Sequence, residues 1–260
     1  MSAQFSRAIV RTPGQSYAQG LTSSERLGAP DLARALEQHQ QYCRALRDCG
    51  LELTTLPADE RFPDGTFVED TAVIAERVAV ITRPGAASRA GEVHAIAAAL
   101  GSMRPVLERI EAPGTLDGGD ICQAGEHFFI GISARTNAEG ARQLAAILEA
   151  HGYTASTIDI RTHRTLLHLK TGLAWLGGRR CVAVPGFPRP PELKGYEFIE
   201  VAAAECYAAN CVLVNGQVLV AAGFPAISAR LRSLGFGLST LEVSEFRKMD
   251  GGLSCLSLRL

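Results

Sequence analysis

Val212-Leu213-Val214-Asn215-Gly216-Gln217-Val218-Leu219-Val220 places two apolar, valine-rich runs on either side of an Asn-Gly pair. Asn-Gly readily supplies the two positive-φ positions of a two-residue turn, so the stretch reads as a β-hairpin. It lies within a segment from Asn210 to Pro225, and three other segments repeat its pattern. Val68 to Gly85 turns at Glu76-Arg77, Asp120 to Gly131 at Gly125-Glu126, and Thr171 to Gly186 around Gly177-Gly178. Between hairpins the apolar period lengthens to that of helices. Asp31 to Cys49 spaces Leu32, Leu36, Cys43 and Leu46 for one buried face. Asn137-Ala138-Glu139 caps a helix that turns Ala141, Leu144, Ala145 and Leu148 inward and ends near His151-Gly152. Further short strands follow at Leu51 to Leu56, Thr154 to Ile160 and Leu238 to Val243.

The repeating unit is therefore hairpin, helix, strand, with a period of roughly 40–50 residues, a length typical of repeat architectures. Four hairpins leave two apolar strands without partners, Phe5 to Arg11 and Ser254 to Leu260. Paired with each other they make a fifth hairpin from the two termini. The expected fold is thus an α/β class ring of five pseudosymmetric units, a propeller that leaves no open blade. An open α/β sheet with antiparallel edges is the alternative for the same elements. No Pro-rich or Ser-rich linker interrupts the chain, so residues 1–260 read as a single domain.

Composition narrows the function classes. The 260 residues carry 26 Lys+Arg against 27 Asp+Glu, a formal net charge of −1, whereas a nucleic-acid binder needs a clustered basic excess. With 47% hydrophobic and 20% charged residues the chain has the profile of a globular protein. No apolar run approaches the roughly 20 residues of a membrane span, and the N-terminus lacks the pattern of a secretory signal, which predicts a cytoplasmic protein without membrane partners. Seven cysteines, an odd number with no C-x-x-C pair and no zinc-type spacing, speak against a disulfide framework or a metal site.

Several residues carry potential chemistry. Cys255 follows Gly251-Gly252-Leu253-Ser254, where two glycines allow close backbone approach, at the start of the last strand; a lone cysteine is more often a small buried hydrophobe. His168 lies in the apolar segment Leu166-Leu167-His168-Leu169 just before a hairpin, where a satisfied core imidazole is the commoner finding. Two acidic clusters, Asp64 to Asp70 and Asp117-Gly118-Gly119-Asp120, recur at equivalent places in the repeat. Acids at such places are usually turn residues. Arg89 and Arg135 recur between a hairpin and the following helix and suit bidentate capture of a carboxylate. Acids, arginines, a cysteine and a histidine at one end of a ring match a zwitterionic substrate that also carries a cation.

Taken in order, Phe67-Val68-Glu69-Asp70, Ile81-Thr82-Arg83-Pro84-Gly85, Leu116-Asp117-Gly118-Gly119-Asp120, Ala134-Arg135-Thr136-Asn137, Leu167-His168-Leu169-Lys170 and Asp250-Gly251-Gly252-Leu253-Ser254-Cys255 resemble the dimethylarginine dimethylaminohydrolase family across nearly the whole chain. The resemblance implies the fivefold α/β-propeller, or pentein fold, shared with arginine deiminases. It implies hydrolysis of Nω-methylated arginines to citrulline and a methylamine, with no cofactor and no metal. Carried over by position, Cys255 is the nucleophile, His168 the general acid and base, and Asp117 the carboxylate that orients the imidazole. Substrate contacts fall on Leu21, Asp64, Glu69, Asp70, Arg89, Arg135 and Met249. Asp117 takes a position that can also be Glu, and Met249 one associated with a β-branched residue.

The expected partner is the small methylated arginine, with no nucleic acid, and the outward helix faces leave room for a homodimer. Rival functions on the same fold are an arginine deiminase, which resembles this chain but carries an extra helical insertion, and an agmatine deiminase, which has no use for carboxylate-binding arginines. A non-catalytic propeller is the rival from another class.

Overall fold

A computed structural model describes residues 4–103, 107–163 and 165–260. It contains five three-stranded sheets built to one plan. In each, a middle strand pairs antiparallel with the strand on one side and parallel with the strand on the other. The first unit takes β1 (Arg7–Arg11) as its middle strand and β2 (Glu52–Leu56) as its parallel partner. The second comprises β3 (Ala72–Ile74), β4 (Ala79–Ile81) and β5 (Leu107–Arg109). The third comprises β6 (Ile121–Ala124), β7 (His127–Ile132) and β8 (Thr154–Asp159). The fourth has β9 (Leu173–Trp175), β10 (Arg180–Ala183) and β11 (Glu197–Glu200). The fifth has β12 (Val212–Val214), β13 (Gln217–Ala221) and β14 (Gly237–Leu241).

The last strand, β15 (Leu258–Arg259), completes the first unit by pairing antiparallel with β1, Ala8 opposite Arg259 and Ile9 opposite Leu258. The termini therefore close a fivefold pseudosymmetric α/β-propeller, as the two unpaired apolar strands predict. All four hairpins turn where expected. Asn215 and Gly216 take φ of 46° and 88°, the two positive values that an Asn-Gly turn supplies. The Asn215 side chain also clamps the N-terminal strand, accepting from Phe5 N and donating to the Phe5 and Cys49 carbonyls.

Helices cross from the middle strand to its parallel partner: α1 (Leu32–Asp48), α2 (Val93–Gly101) and α3 (Ala138–Ala150) in the first three units. Asp31 and Asn137 cap α1 and α3, accepting from Arg34 N and Gly140 N. The inward face of α3 is as expected, with Leu144 and Leu148 fully buried, each such side chain contributing roughly 1.5–3 kcal/mol. In α1 the buried stripe is shifted to Ala35, His39, Tyr42 and Leu46, leaving Leu32 and Leu36 half-buried.

Short helices α4 (Leu169–Gly172), α5 (Pro225–Ser233) and α6 (Ser244–Arg247) complete the set, α5 being the crossover of the fifth unit. The fourth unit departs from the plan: its crossover holds only the 3-10 turn Pro191–Leu193. Pro185, Pro188, Pro190 and Pro191 lie in that stretch, and their missing N–H groups rule out a continuous helix. Among the described residues no helix is long and apolar enough to cross a membrane.

One recurring feature escaped the periodicity. A helical turn precedes the first strand of every unit: Val68–Thr71, Gly118–Asp120, Leu169–Gly172, Ala203–Ala209 and Ser254–Leu256. Cys255 consequently sits in a 3-10 turn and not at the start of the last strand, which begins at Leu258. Turns this short show no clear sequence period, and their acids and glycines read equally well as strand approaches.

Candidate active site

Two of these turns, through Asp70 and Cys255, and neighbouring loops line a cavity of about 270 Å³. Of the ten residues singled out in the sequence, Leu21, Asp64, Asp70, Arg89, Arg135, His168, Met249 and Cys255 line it. Asp117 and Glu69 do not. Asp117 is fully buried behind the imidazole, and its Oδ2 accepts from His168 Nε2–H at 3.1 Å. The other Asp117 oxygen accepts from Gly85 N at 2.8 Å, and Arg135 Nη1 stands 3.7 Å from Oδ2. Glu69 faces an adjoining 40 Å³ cavity and the central channel. There it meets Lys170 Nζ at 2.6 Å, Ser254 Oγ at 2.6 Å and Arg259 Nη2 at 3.3 Å, so its charge is already compensated.

Asp70, next to Glu69, points to the main cavity. It accepts from Arg89 Nη1 at 2.5 Å and Gly119 N at 2.9 Å, and its Oδ1 lies 4.0 Å from His168 Nε2. A Cβ on Gly119 would stand 2.7 Å from His168 Nδ1 and 2.8 Å from Asp70 Oδ1, so only glycine permits this approach. Arg89 is held on every side, by Glu92 through Nε and Nη2, by Asp70, and by the Phe67 carbonyl. Its guanidinium is fixed before any ligand arrives.

Electrostatics follow from these contacts. Burial alone would push the His168 pKa down, but the charges of Asp70, Asp120 and Asp117 outweigh it and raise it to about 9. Burial works against the Asp70 carboxylate too, yet His168 and Arg89 hold it below its ordinary range. The Cys255 thiol is pushed up to about 12 by burial and by Glu69 and Asp70, against the Gly252 N–H and Lys170. Asp64 is raised by burial, with Arg89 opposing. Asp70, Asp117 and His168 offer three donor atoms close together. Arg89, Arg135 and the Gly85 and Gly119 amides already occupy the carboxylates, which makes the cluster a poor cradle for a dication.

The Cys255 side rests on several residues that were not singled out. Asn210 accepts from Ser254 N and donates to Ser254 Oγ and the Lys170 carbonyl. Tyr207 donates to the Gly251 carbonyl. Asp250, at φ 58°, accepts from Ser23 N and Ser24 Oγ and ties the Leu21 loop to the segment that carries the cysteine. Asp64 accepts from Leu21 N, fixing the same loop from the other end. Of these, only Asp250 stood inside a recognisable motif.

The five units define a fivefold α/β-propeller with a polar cavity, and a family model described as arginine deiminase matches residues 104–194. Within that class the chain belongs to the dimethylarginine dimethylaminohydrolase family. It is 50% identical to the N(G),N(G)-dimethylarginine dimethylaminohydrolase of Pseudomonas aeruginosa over 98% of this chain and 99% of that one. The enzyme of the same name from Streptomyces coelicolor is 35% identical over 98% and 96%. A solved structure of the Pseudomonas aeruginosa protein, a cysteine-to-serine mutant complexed with citrulline, superposes with a TM-score of 0.95 at 49% identity and covers 99% of this chain and all of that one.

Proposed function

We propose that the chain hydrolyses Nω,Nω-dimethyl-L-arginine, and the monomethyl form, to L-citrulline and dimethylamine or methylamine. Supporting this above all is the cavity itself, whose lining brings the carboxylates of Asp64 and Asp70, the guanidinium groups of Arg89 and Arg135, His168 and Cys255 together. A guanidinium binds beside Asp70, while Arg135 and Arg89 receive the α-carboxylate and Asp64, with the main chain at Leu21 and Met249, the α-ammonium. In this reading Glu69 serves the nucleophile's turn through Ser254 rather than touching the substrate.

The bound cation offsets the acids that hold the Cys255 proton, so the thiolate forms, with its proton released to solvent, only once substrate is present. Sulfur then attacks the guanidinium carbon. The tetrahedral adduct cannot expel an amide anion, and the His168 imidazolium gives the leaving dimethylamine its proton. A thiouronium remains on sulfur. Neutral His168 takes a proton from water, whose oxygen adds to that carbon; the thiolate departs and takes up the remaining hydroxyl proton, which leaves citrulline and the Cys255 thiol. Asp117 keeps the ring in place through both transfers.

Incubation with asymmetric dimethylarginine, arginine and agmatine tests the substrate, with citrulline, carbamoylputrescine and released amine measured. Citrulline and dimethylamine are expected from the methylated substrate, and turnover is expected to vanish in Cys255→Ala. Citrulline from arginine at an equal or higher rate would replace this reading with a deiminase.

A further inference from the structure

Asp120 belongs to the Asp-Gly-Gly-Asp motif, but it neither lines the cavity nor touches the imidazole through a hydrogen bond. It is nevertheless fully buried, and both its oxygens are engaged. Oδ1 accepts from Leu169 N at 2.9 Å, the residue after His168. Oδ2 accepts from Ser133 Oγ at 2.6 Å and Thr136 Oγ1 at 2.7 Å. The two hydroxyl oxygens are themselves acceptors: Ser133 Oγ from Arg135 N and Thr136 N, and Thr136 Oγ1 from Asp117 N at 3.1 Å. The polarity of this network is therefore fixed. Every partner of Asp120 donates, an arrangement that favours the ionised carboxylate, although burial raises its pKa against His168, Ser133, Thr136 and Leu169 N.

Three separate chain segments thus meet on one carboxylate: that bearing His168, that bearing Asp117, and that bearing Arg135. Gly131 makes room for it, since a Cβ there would lie 3.0 Å from Asp120 Oδ1 and 2.9 Å from Leu169 Cβ. We propose that Asp120 is a positioning residue for the reaction, setting the His168–Asp117 geometry and adding a negative charge to the acidic surroundings of the imidazole. This inference rests on the hydrolase reading above. The groups facing His168 are Asp117 and Asp120 from one segment, Asp70 from another with Arg89 behind it, Arg135 behind Asp117, and Glu69, Cys255, Lys170, Tyr207, Asp64 and Asp250 across the cavity walls.

Asp120→Asn and the pair Thr136→Val and Thr136→Ser test it. Asp120→Asn is expected to lower kcat by about 10²-fold, the effect of a displacement of about 1 Å at the reacting groups, while KM changes by less than about threefold. In the free protein the His168 imidazole, followed by NMR, is expected to titrate at least about one pH unit lower than in wild type. Thr136→Val cuts the link to Asp117 N and is expected to lower kcat about tenfold; Thr136→Ser keeps the hydroxyl and restores it. The NMR titration needs no turnover, so it stands even if the substrate assignment fails. Wild-type kcat and an unmoved His168 titration in Asp120→Asn overturn the proposal. Should that variant not fold, Thr136→Val with wild-type kcat overturns it equally.

Discussion

His168 and Cys255 line the same cavity, and acidic groups surround both, yet the same negative field acts on them in opposite senses. Around His168 the carboxylates of Asp70, Asp117 and Asp120 stabilise a cation, which lifts the imidazole well above its ordinary pKa. Around Cys255 burial first, and then the carboxylates of Glu69 and Asp70, oppose an anion, which lifts the thiol as well. Both groups therefore hold their protons at rest. In the proposed reaction the acid, His168, is then ready, and the nucleophile, Cys255, waits for a cation to compensate Asp70. A site so arranged discriminates for guanidinium by charge before any contact with a methyl group is made.

Removing a carboxylate from one side should separate the two. Asp117→Asn keeps the size of the side chain and withdraws the charge nearest Nε2. Steady-state kinetics should show kcat lower by roughly 10²–10⁴-fold, the range of a misplaced or mis-protonated general acid. Its sign in pH is fixed: the imidazolium needed for amine departure is lost at lower pH than in wild type, so the basic limb moves down. Retention of full activity at about pH 8 would remove Asp117 from the reaction.

Glu69→Gln acts on the other side and has a smaller effect. With one acid fewer beside sulfur and Lys170 left in place, the thiol pKa falls, and alkylation of the free protein by iodoacetamide near pH 8 should accelerate roughly tenfold for each unit of that fall. Glu69 is not among the leading charges that raise His168, so the imidazole titration should move much less than the thiol. If both groups moved together, the two regions would not be electrostatically separate and the comparison would fail.

Much of this was legible in the sequence. Hairpins are, because Asn215-Gly216 and Gly177-Gly178 must take positive φ and few residues do so cheaply. Closure by the termini is, because two apolar strands without partners have few places to go. The nucleophile's neighbourhood is, through Gly251 and Gly252, which pack against Phe67 and Asn210 where any Cβ would collide. What the sequence hides is direction. Glu69 and Asp70 are adjacent on a 3-10 turn, and only the three-dimensional arrangement sends one to Lys170 and Arg259 and the other to Arg89. Asp120 is hidden for a related reason: an acid after two glycines looks like a turn residue, and its partners Ser133, Thr136 and Leu169 are remote in sequence. The fourth crossover shows a repeat being overridden, with prolines removing a helix while the sheet survives.

The direct measurement is the ultraviolet thiolate absorbance of Cys255, taken as wild type minus Cys255→Ser, from about pH 6 to about pH 11, with and without agmatine as the guanidinium. A resting proton on sulfur predicts almost no thiolate in the free protein below about pH 10 and its appearance at lower pH when agmatine is present. A full thiolate signal near neutral pH in the free protein would contradict it.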